Sequence, residues 1–352
     1  LTVCRHQYFK NWQFILCVIS ICCIVDSWKE MDSSRFVLIL QLILLLLSVY
    51  GGKGEGQGLV YDYYDSTCPN VEDIVKREMF RIFAADATAP AAFLRLLFHD
   101  CQVQGCDASI LLQSEDAELQ SSRNFGIRKL EEIGRIKSIL EDECPMQVSC
   151  ADIVALAARE AVAISGGPFI QIPLGRKDSL TSSSQQADAH LPSPSIDDVD
   201  RFLQIFMGKG MDLKESVAII GAHTLGGGHC RNIVNRLYDP KPTDQMDLGF
   251  QLRLRLSCPT VIPSNNVTVV PSDLTTVIFD NQYYRDAATG RGLFPIDSSI
   301  SRDARTMAIV GQFAVDKIYF FQTFSSAFVK LASTGVLTGD KGEVRLDCSQ
   351  VN

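Results

Sequence analysis

Arg95 and His99 stand four residues apart in Arg95-Leu-Leu-Phe-His99-Asp100-Cys101, inside a stretch that reads as a helix running from Ala91. This spacing stacks the two side chains on one helix face, so a permanent cation and a base that titrates near neutral pH can point at one small molecule. Cleavage of a peroxide bond uses such a pair. The base carries a proton from one oxygen to the other, and the cation holds the charge that develops on the departing oxygen. The same spacing equally fits a surface pair or a satisfied core pair, so by itself it leaves the chemistry open.

Two further stretches carry ligand-type residues. Asp100-Cys-Gln-Val-Gln-Gly105-Cys-Asp107-Ala-Ser109 has oxygen-bearing side chains at its first, eighth and tenth positions and glycine at its sixth. It resembles a calcium loop, though not an EF-hand, because Leu111 stands where a bidentate Glu would be. A plain capped turn also fits, and Cys101 and Cys106 could close it with a short disulfide. In Ser216-Val-Ala-Ile-Ile-Gly-Ala-His223-Thr-Leu-Gly-Gly-Gly-His229-Cys230 an apolar helix ends at His223 and runs into glycines. A neutral histidine there suits a metal or haem iron, or a buried structural role. His229 reads as exposed beside the glycines and is given no role. The sequence has no Gly-Lys-Ser/Thr phosphate loop, no Cys-x-x-Cys zinc pair and no Cys-x-x-Cys-His haem attachment.

The elements that must hold these residues are mostly helical. From Val60 onward apolar residues recur three and four apart, as in Val71-Glu-Asp-Ile-Val-Lys-Arg-Glu-Met-Phe and Ala151-Asp-Ile-Val-Ala-Leu-Ala-Ala-Arg. Turn signals at Cys68-Pro69, Cys144-Pro145, Gly166-Gly167-Pro168, Leu191-Pro-Ser-Pro194, Gly208-Lys-Gly210 and Cys258-Pro259 separate the helices. Minor strands are expected as a short pair near Ile170–Pro173 and a hairpin over Val336–Leu346 that turns at Gly339-Asp-Lys-Gly342. No fixed-period repeat or long linker divides this region, so it reads as one unit.

With 352 residues, 46% of them apolar, the chain can bury a substantial core. A net charge of −8 argues against a nucleic-acid partner and favours small neutral or cationic ones. Of 12 cysteines, those at 68, 101, 106, 144, 150, 230, 258 and 348 fall in the folded part, an even set that suggests disulfides and an oxidising compartment. Cys4, Cys17, Cys22 and Cys23 precede Met31-Asp-Ser-Ser-Arg35 and the apolar run Phe36 to Val49, which have the form of a signal peptide. That run is short for a membrane span of about 20 residues. The expected organisation is an upstream extension over 1–30, a signal peptide over 31–57 cleaved in the glycine-rich stretch Gly51 to Gly58, and a folded domain over 58–352. The mature form is then secreted, with no membrane association, and Asn266-Val-Thr268 is a glycosylation acceptor.

Six ordered motifs carry a resemblance: Tyr64-Asp-Ser-Thr-Cys68-Pro69, Arg95 through Ser109, Val148-Ser-Cys-Ala-Asp152, Pro173-Leu-Gly-Arg-Lys-Asp178, Gly221-Ala-His-Thr-Leu-Gly226 and Phe279-Asp-Asn-Gln-Tyr-Tyr284. Over about residues 60–350 the chain is similar to the secretory plant haem peroxidases, often called class III. The resemblance implies a mainly α, two-lobed helical fold with one non-covalent haem b between the lobes, minor short β-strands and two calcium ions. It implies a monomer in the cell wall, the apoplast or the vacuole that reduces hydrogen peroxide while oxidising small phenolic donors by one-electron steps.

Residue by residue, it implies that His223 is the proximal iron ligand, with Asp297 bonded to its other nitrogen and Phe98 beside the haem. Arg95 and His99 would face the peroxide, with Asn124 orienting His99. The distal calcium would take Asp100, Val103, Gly105, Asp107, Ser109 and, at one remove, Glu118. The proximal calcium would take Thr224, Asp273, Ile278, Asp280 and a hydroxyl from Thr275 or Thr276, of which Thr276 is the assignment made. Pro192 would line the exposed haem edge where donors dock. The implied bridges are Cys68–Cys144, Cys101–Cys106, Cys150–Cys348 and Cys230–Cys258. Ala117-Glu-Leu and Arg123-Asn stand where the family has Ser-Glu-Lys and Pro-Asn, and Gln102 and Leu225 replace frequent phenylalanines.

Overall fold

Apolar Val71, Ile74, Val75, Met79 and Ile82 recur on one side of the first helix, α1 (Val71–Ala85), and that side is buried. The computed structural model describes residues 58–193, 195–196, 198–241, 244–259 and 268–352. The signal-peptide region, Cys4, Cys17, Cys22, Cys23 and Asn266 lie outside the described residues.

Helix α2 (Ala89–Gln102) starts with Pro90 in its first turn, where an N–H would lack an intrahelical partner anyway. It is followed by α3 (Leu130–Glu143) and by α4 (Cys150–Ile164), which is buried along nearly its whole length. Ser149 caps α4 by accepting from the Asp152 N–H. Helices α1, α2 and α3 all pack on α4. Next come α5 (Ser184–His190), α6 (Val199–Met207) and α7 (Leu213–Ile219), then α8 (Cys230–Tyr238) and α9 (Leu248–Ser257). The last four are α10 (Gln282–Ala288), α11 (Pro295–Ile300), α12 (Met307–Val315) and α13 (Lys317–Ala332). Helix α13 packs on α7 and α12, α10 packs on α12, and α6 packs on α7 and α11. These make a second group of helices, and α13 joins it to the first by reaching α2.

The motifs outside the reaction residues turn out to be structural. Asp152 and Arg176 form an ion pair at 2.7 Å with both side chains wholly buried. The same carboxylate accepts from the Tyr64 hydroxyl at 2.7 Å and the Gly175 N–H at 2.8 Å. Asp178 accepts from the Cys150 and Ala151 N–H groups at the start of α4 and from Arg345 N. Disulfides join Cys68–Cys144, Cys101–Cys106, Cys150–Cys348 and Cys230–Cys258.

The strands differ from expectation. The two-stranded ladder is β1 (Gly227–His229) antiparallel to β2 (Val269–Pro271), with Gly228 opposite Val270. Ile170–Pro173 forms no strand, and the bridge there pairs Leu174 with Val60. The arms of the expected 336–346 hairpin do not pair with each other. Leu337 bridges Lys177 and Glu343 bridges Asp178, because the 177–178 segment lies between them.

Candidate active site

Helix α2 presents Arg95 and His99 one turn apart. His99 is buried, and its Nδ1 lies 2.6 Å from Asn124 Oδ1. Asn124 Nδ2 donates to the Glu118 carbonyl at 2.7 Å, which fixes which end of the amide faces the histidine. An amide oxygen only accepts, so Nδ1 of His99 carries the proton and Nε2 keeps its lone pair. Burial and the Arg95 charge lower the His99 pKa to about 3, against a raising contribution from Asn124, so the ring is neutral over the physiological range. Arg95 donates to the Phe125 carbonyl at 2.9 Å, and burial lowers it to about 10, still a cation at neutral pH.

His223 sits in a 3₁₀ turn, Ile220–Thr224, that continues α7. Helix α7 is started by a capping box in which Asp212 and Glu215 bond each other's N–H. The His223 Nδ1–H donates to Asp297 Oδ1 at 2.9 Å. Asp297 lies in the first turn of α11, where Pro295 opens the helix and Asp297 Oδ2 accepts from the Phe294 N–H at 2.7 Å. The Tyr283 hydroxyl donates to Asp297 Oδ1 at 2.9 Å, and the Tyr283 ring meets the His223 ring edge-on. With Nδ1 committed, Nε2 of His223 is left as a donor to a metal.

The chain beyond His223 runs back under α2. A Cβ on Gly226 would lie 2.8 Å from Ala91, and one on Gly126 would meet His229 Nε2 at 2.8 Å and Arg95 Nη1 at 3.3 Å. His229 is therefore half-buried beside the Arg95 guanidinium and edge-on to Phe125, not exposed as its glycine neighbours suggest. No apolar periodicity marks it, because a turn brings it in.

Ala91, Phe98, Ala222 and Phe294 stay only partly buried although they pack on the core, and the His223 side chain is 36% exposed. Phe98 is edge-on to His99 at 5.6 Å and close to Phe206. Partly buried apolar side chains, one histidine with a free nitrogen and an Arg–His pair fit a flat, iron-bearing haem. Pro192 lies half-buried just past α5, after Leu191, which packs on Val103.

The Asp100 loop closes tightly. Gly105 has φ of 153° and approaches Gly335 so closely that a Cβ would fall 2.1 Å from the Gly335 carbonyl oxygen. Within it, Asp100 Oδ1, Ser109 Oγ and Glu118 Oε2 are buried without a hydrogen-bond partner. Burial, with Asp107 and Glu118 beside it, raises Asp100 well above the usual carboxylate range. Burial likewise raises Glu118 to about 8, with Ser109 opposing and Asp107 reinforcing. Unsatisfied buried oxygens of this kind fit a cation. Among the described residues no group of three or more His, Cys, Asp or Glu is arranged to hold a metal, so backbone carbonyls such as those of Val103 and Gly105 would have to complete the set.

On the other side, Thr224 Oγ1 donates to Asp273 at 2.8 Å, and the Thr275 hydroxyl lies 3.2 Å from Asp273 and 3.1 Å from Asp280. Burial raises Asp273 to about 6, against hydrogen bonds from Thr224 and Thr275. Thr275, not the expected Thr276, brings its hydroxyl to these carboxylates. The Thr276 carbonyl accepts from the Gly226 N–H at 2.7 Å. Ile278 lies in the same turn, with its N–H bonded to the Thr275 carbonyl.

The mainly helical fold, with Arg95 and His99 on one helix and the His223–Asp297 pair at the end of another, is consistent with the haem peroxidase class. A peroxidase family profile matches residues 75–316. Peroxidase 29 of Arabidopsis thaliana is 50% identical over 335 residues, 92% of this chain and 98% of that protein. Peroxidase 10 of the same plant is 41% identical over 84% of this chain and 87% of its own length, and Peroxidase 21 is 37% identical over 88% and 96%. The chain belongs to the plant class III peroxidases and is a haem-dependent enzyme.

Proposed function

We propose that this peroxidase is secreted and uses hydrogen peroxide to oxidise small phenolic donors by one-electron steps, in cell-wall or oxidative-stress chemistry. The observation that carries the reading is the His99–Asn124 bond beside Arg95, together with the His223–Asp297 pair. His223 would hold the iron of a non-covalent haem b through Nε2, and Asp297 would strengthen it as a donor. When bound, the haem supplies the iron that holds peroxide and the oxidising power later drawn off by donors.

His99 Nε2 accepts the proton from the inner peroxide oxygen and returns it to the outer one. Asn124 keeps Nδ1 protonated and the ring oriented for that transfer, and Glu118 holds Asn124 in turn. Arg95, anchored on the Phe125 carbonyl, faces the charge on the departing oxygen. Donors give up electrons at the edge near Pro192. Two calcium ions, at Asp100, Val103, Gly105, Asp107 and Ser109 and at Thr224, Asp273, Thr275, Ile278 and Asp280, would brace the elements that carry His99 and His223. Four disulfides support an oxidising compartment. The test is peroxide-dependent oxidation of a phenol by the haem-loaded protein. Rapid turnover is expected, and peroxide consumption that no phenol accelerates would overturn the donor assignment.

A further inference from the structure

A line of aromatic rings leads from His223 to the surface. The Tyr283 ring meets the His223 ring edge-on at 5.9 Å, and Tyr283 meets Tyr284 at 4.9 Å. Tyr284 lies 5.1 Å from Phe313, and Phe313 lies 5.5 Å from Tyr319. The line thus passes from α10 through α12 to the first turn of α13. Its inner members Tyr283, Tyr284 and Phe313 are buried, whereas Tyr319 is only half-buried and has the Lys214 ammonium 5.6 Å from its ring centre.

Edge-on ring pairs are ordinary core packing. What sets this line apart is that its outer end is a phenol, which gives up an electron far more readily than the phenylalanine beside it. The other branch from Tyr284 runs through Phe320 to Phe321 and Phe324, none of which carries a hydroxyl. Among the ring contacts of the described residues, the line through Phe313 is the one that joins His223 to a phenol at the surface.

We infer that Tyr319 is a second oxidation site, which draws on the peroxide reaction through Tyr283, Tyr284 and Phe313 and oxidises phenolic groups carried on polymers too large to reach the haem edge. This rests on the phenolic-donor reading above and adds the size of the donor to it. One electron leaves Tyr319 and passes inward to the centre that peroxide has oxidised. The phenolic proton of Tyr319 leaves to water, because the neighbouring Lys214 cation opposes positive charge on the ring. The neutral phenoxyl then takes one electron and one proton from a phenol at the surface, which restores Tyr319 and releases the donor as a radical. Tyr283 donates to Asp297 at 2.9 Å, so the proton it sheds while short of an electron stays in that bond and returns. Tyr284 faces the carbonyls of Val217 and Ala218, which take no proton, so it passes the electron on without keeping the radical.

The test begins with the haem-loaded enzyme, one equivalent of hydrogen peroxide and a nitroso spin trap, with no donor present. Peptide mass spectrometry should find the trap on Tyr319, and Phe313→Leu should lower that yield several-fold although Tyr319 is untouched. One phenol is then offered both free and coupled to a dextran too large to enter the protein. Tyr319→Phe should slow oxidation of the coupled phenol about tenfold and leave the free phenol unchanged, and Tyr319→Trp should restore the coupled rate. Tyr319→Phe removes a single hydroxyl from a half-buried ring, so it remains decisive if Phe313→Leu disturbs the core. Absence of the trap from Tyr319 in the native enzyme overturns the inference. So does a coupled phenol that native and Tyr319→Phe enzyme oxidise equally fast. Trapping on Tyr319 with neither phenol oxidised would leave the relay standing and sink the donor reading. Oxidation of the free phenol with no trapping on Tyr319 would do the reverse.

Discussion

His99 illustrates how a side chain's surroundings decide its chemistry. A histidine free in water would be partly protonated at pH 6, but this one, buried beside Arg95, has its pKa lowered to about 3. It can therefore accept a proton from peroxide across the neutral and mildly acid range. His99→Ala should slow the reaction with peroxide by roughly 10² to 10⁴-fold in stopped-flow measurements. Asn124→Leu should cost less, about tenfold, because the ring stays but loses the bond that raises its basicity. In the native enzyme the rate should stay flat with pH down to about 4. The same shift bears on stability. Between an unfolded value near 6.5 and the folded value near 3, the unfolded chain binds the extra proton, so this contribution is present above about 6.5 and is lost as pH falls.

At the level of elements, buried polar pairs fix how helices meet. Asp152 in α4 and Arg176 after it share a wholly buried ion pair, and Tyr64 bonds the same carboxylate. Arg176→Met leaves Asp152 buried without its cation and should cost about 3 to 5 kcal/mol, read from urea unfolding. Glu215 joins the α7 cap to α13 by accepting from Lys330 and from the Ser326 hydroxyl, each at 2.6 Å. Burial opposes its ionisation, but Lys330, Ser326 and the Asp212 N–H outweigh it and hold the pKa below the usual value. Its contribution is thus present above an unfolded value near 4.3 and lost as pH falls through the lower folded value. Glu215→Gln should flatten the acid limb of a stability–pH curve measured by thermal melting.

Helix α1 was legible because apolar periodicity marks its one buried face, and α4, buried nearly all round, because its length and its run of small and apolar residues still read as helix. The 227–229 and 269–271 ladder was not, because three-residue strands containing two glycines carry no alternation to read. His229 escaped for a related reason, and spacing alone left Thr275 and Thr276 as alternatives. Their roles come from turns that bring distant segments together, and local spacing does not encode such meetings.

Over the described residues the chain is tied together by its cross-links. Cys150–Cys348 spans 198 residues and links α4 to the C-terminal segment, whereas Cys101–Cys106 spans 5. Loop-closure entropy assigns the former about 5 kcal/mol and the latter about 2 kcal/mol. Replacing Cys150 and Cys348 with serine should therefore lower the melting temperature more than replacing Cys101 and Cys106, and equal losses would point to strain or to structure in the unfolded chain. The central claim is that His223 binds haem iron opposite Arg95 and His99. Its most direct test is the visible spectrum of the haem-loaded protein before and after one equivalent of hydrogen peroxide, beside that of His223→Ala. The account predicts a Soret band that falls with peroxide, returns on adding a phenol, and is lost or strongly altered in the variant. A folded native protein with no Soret band, or a variant whose band matches the native one, would contradict it.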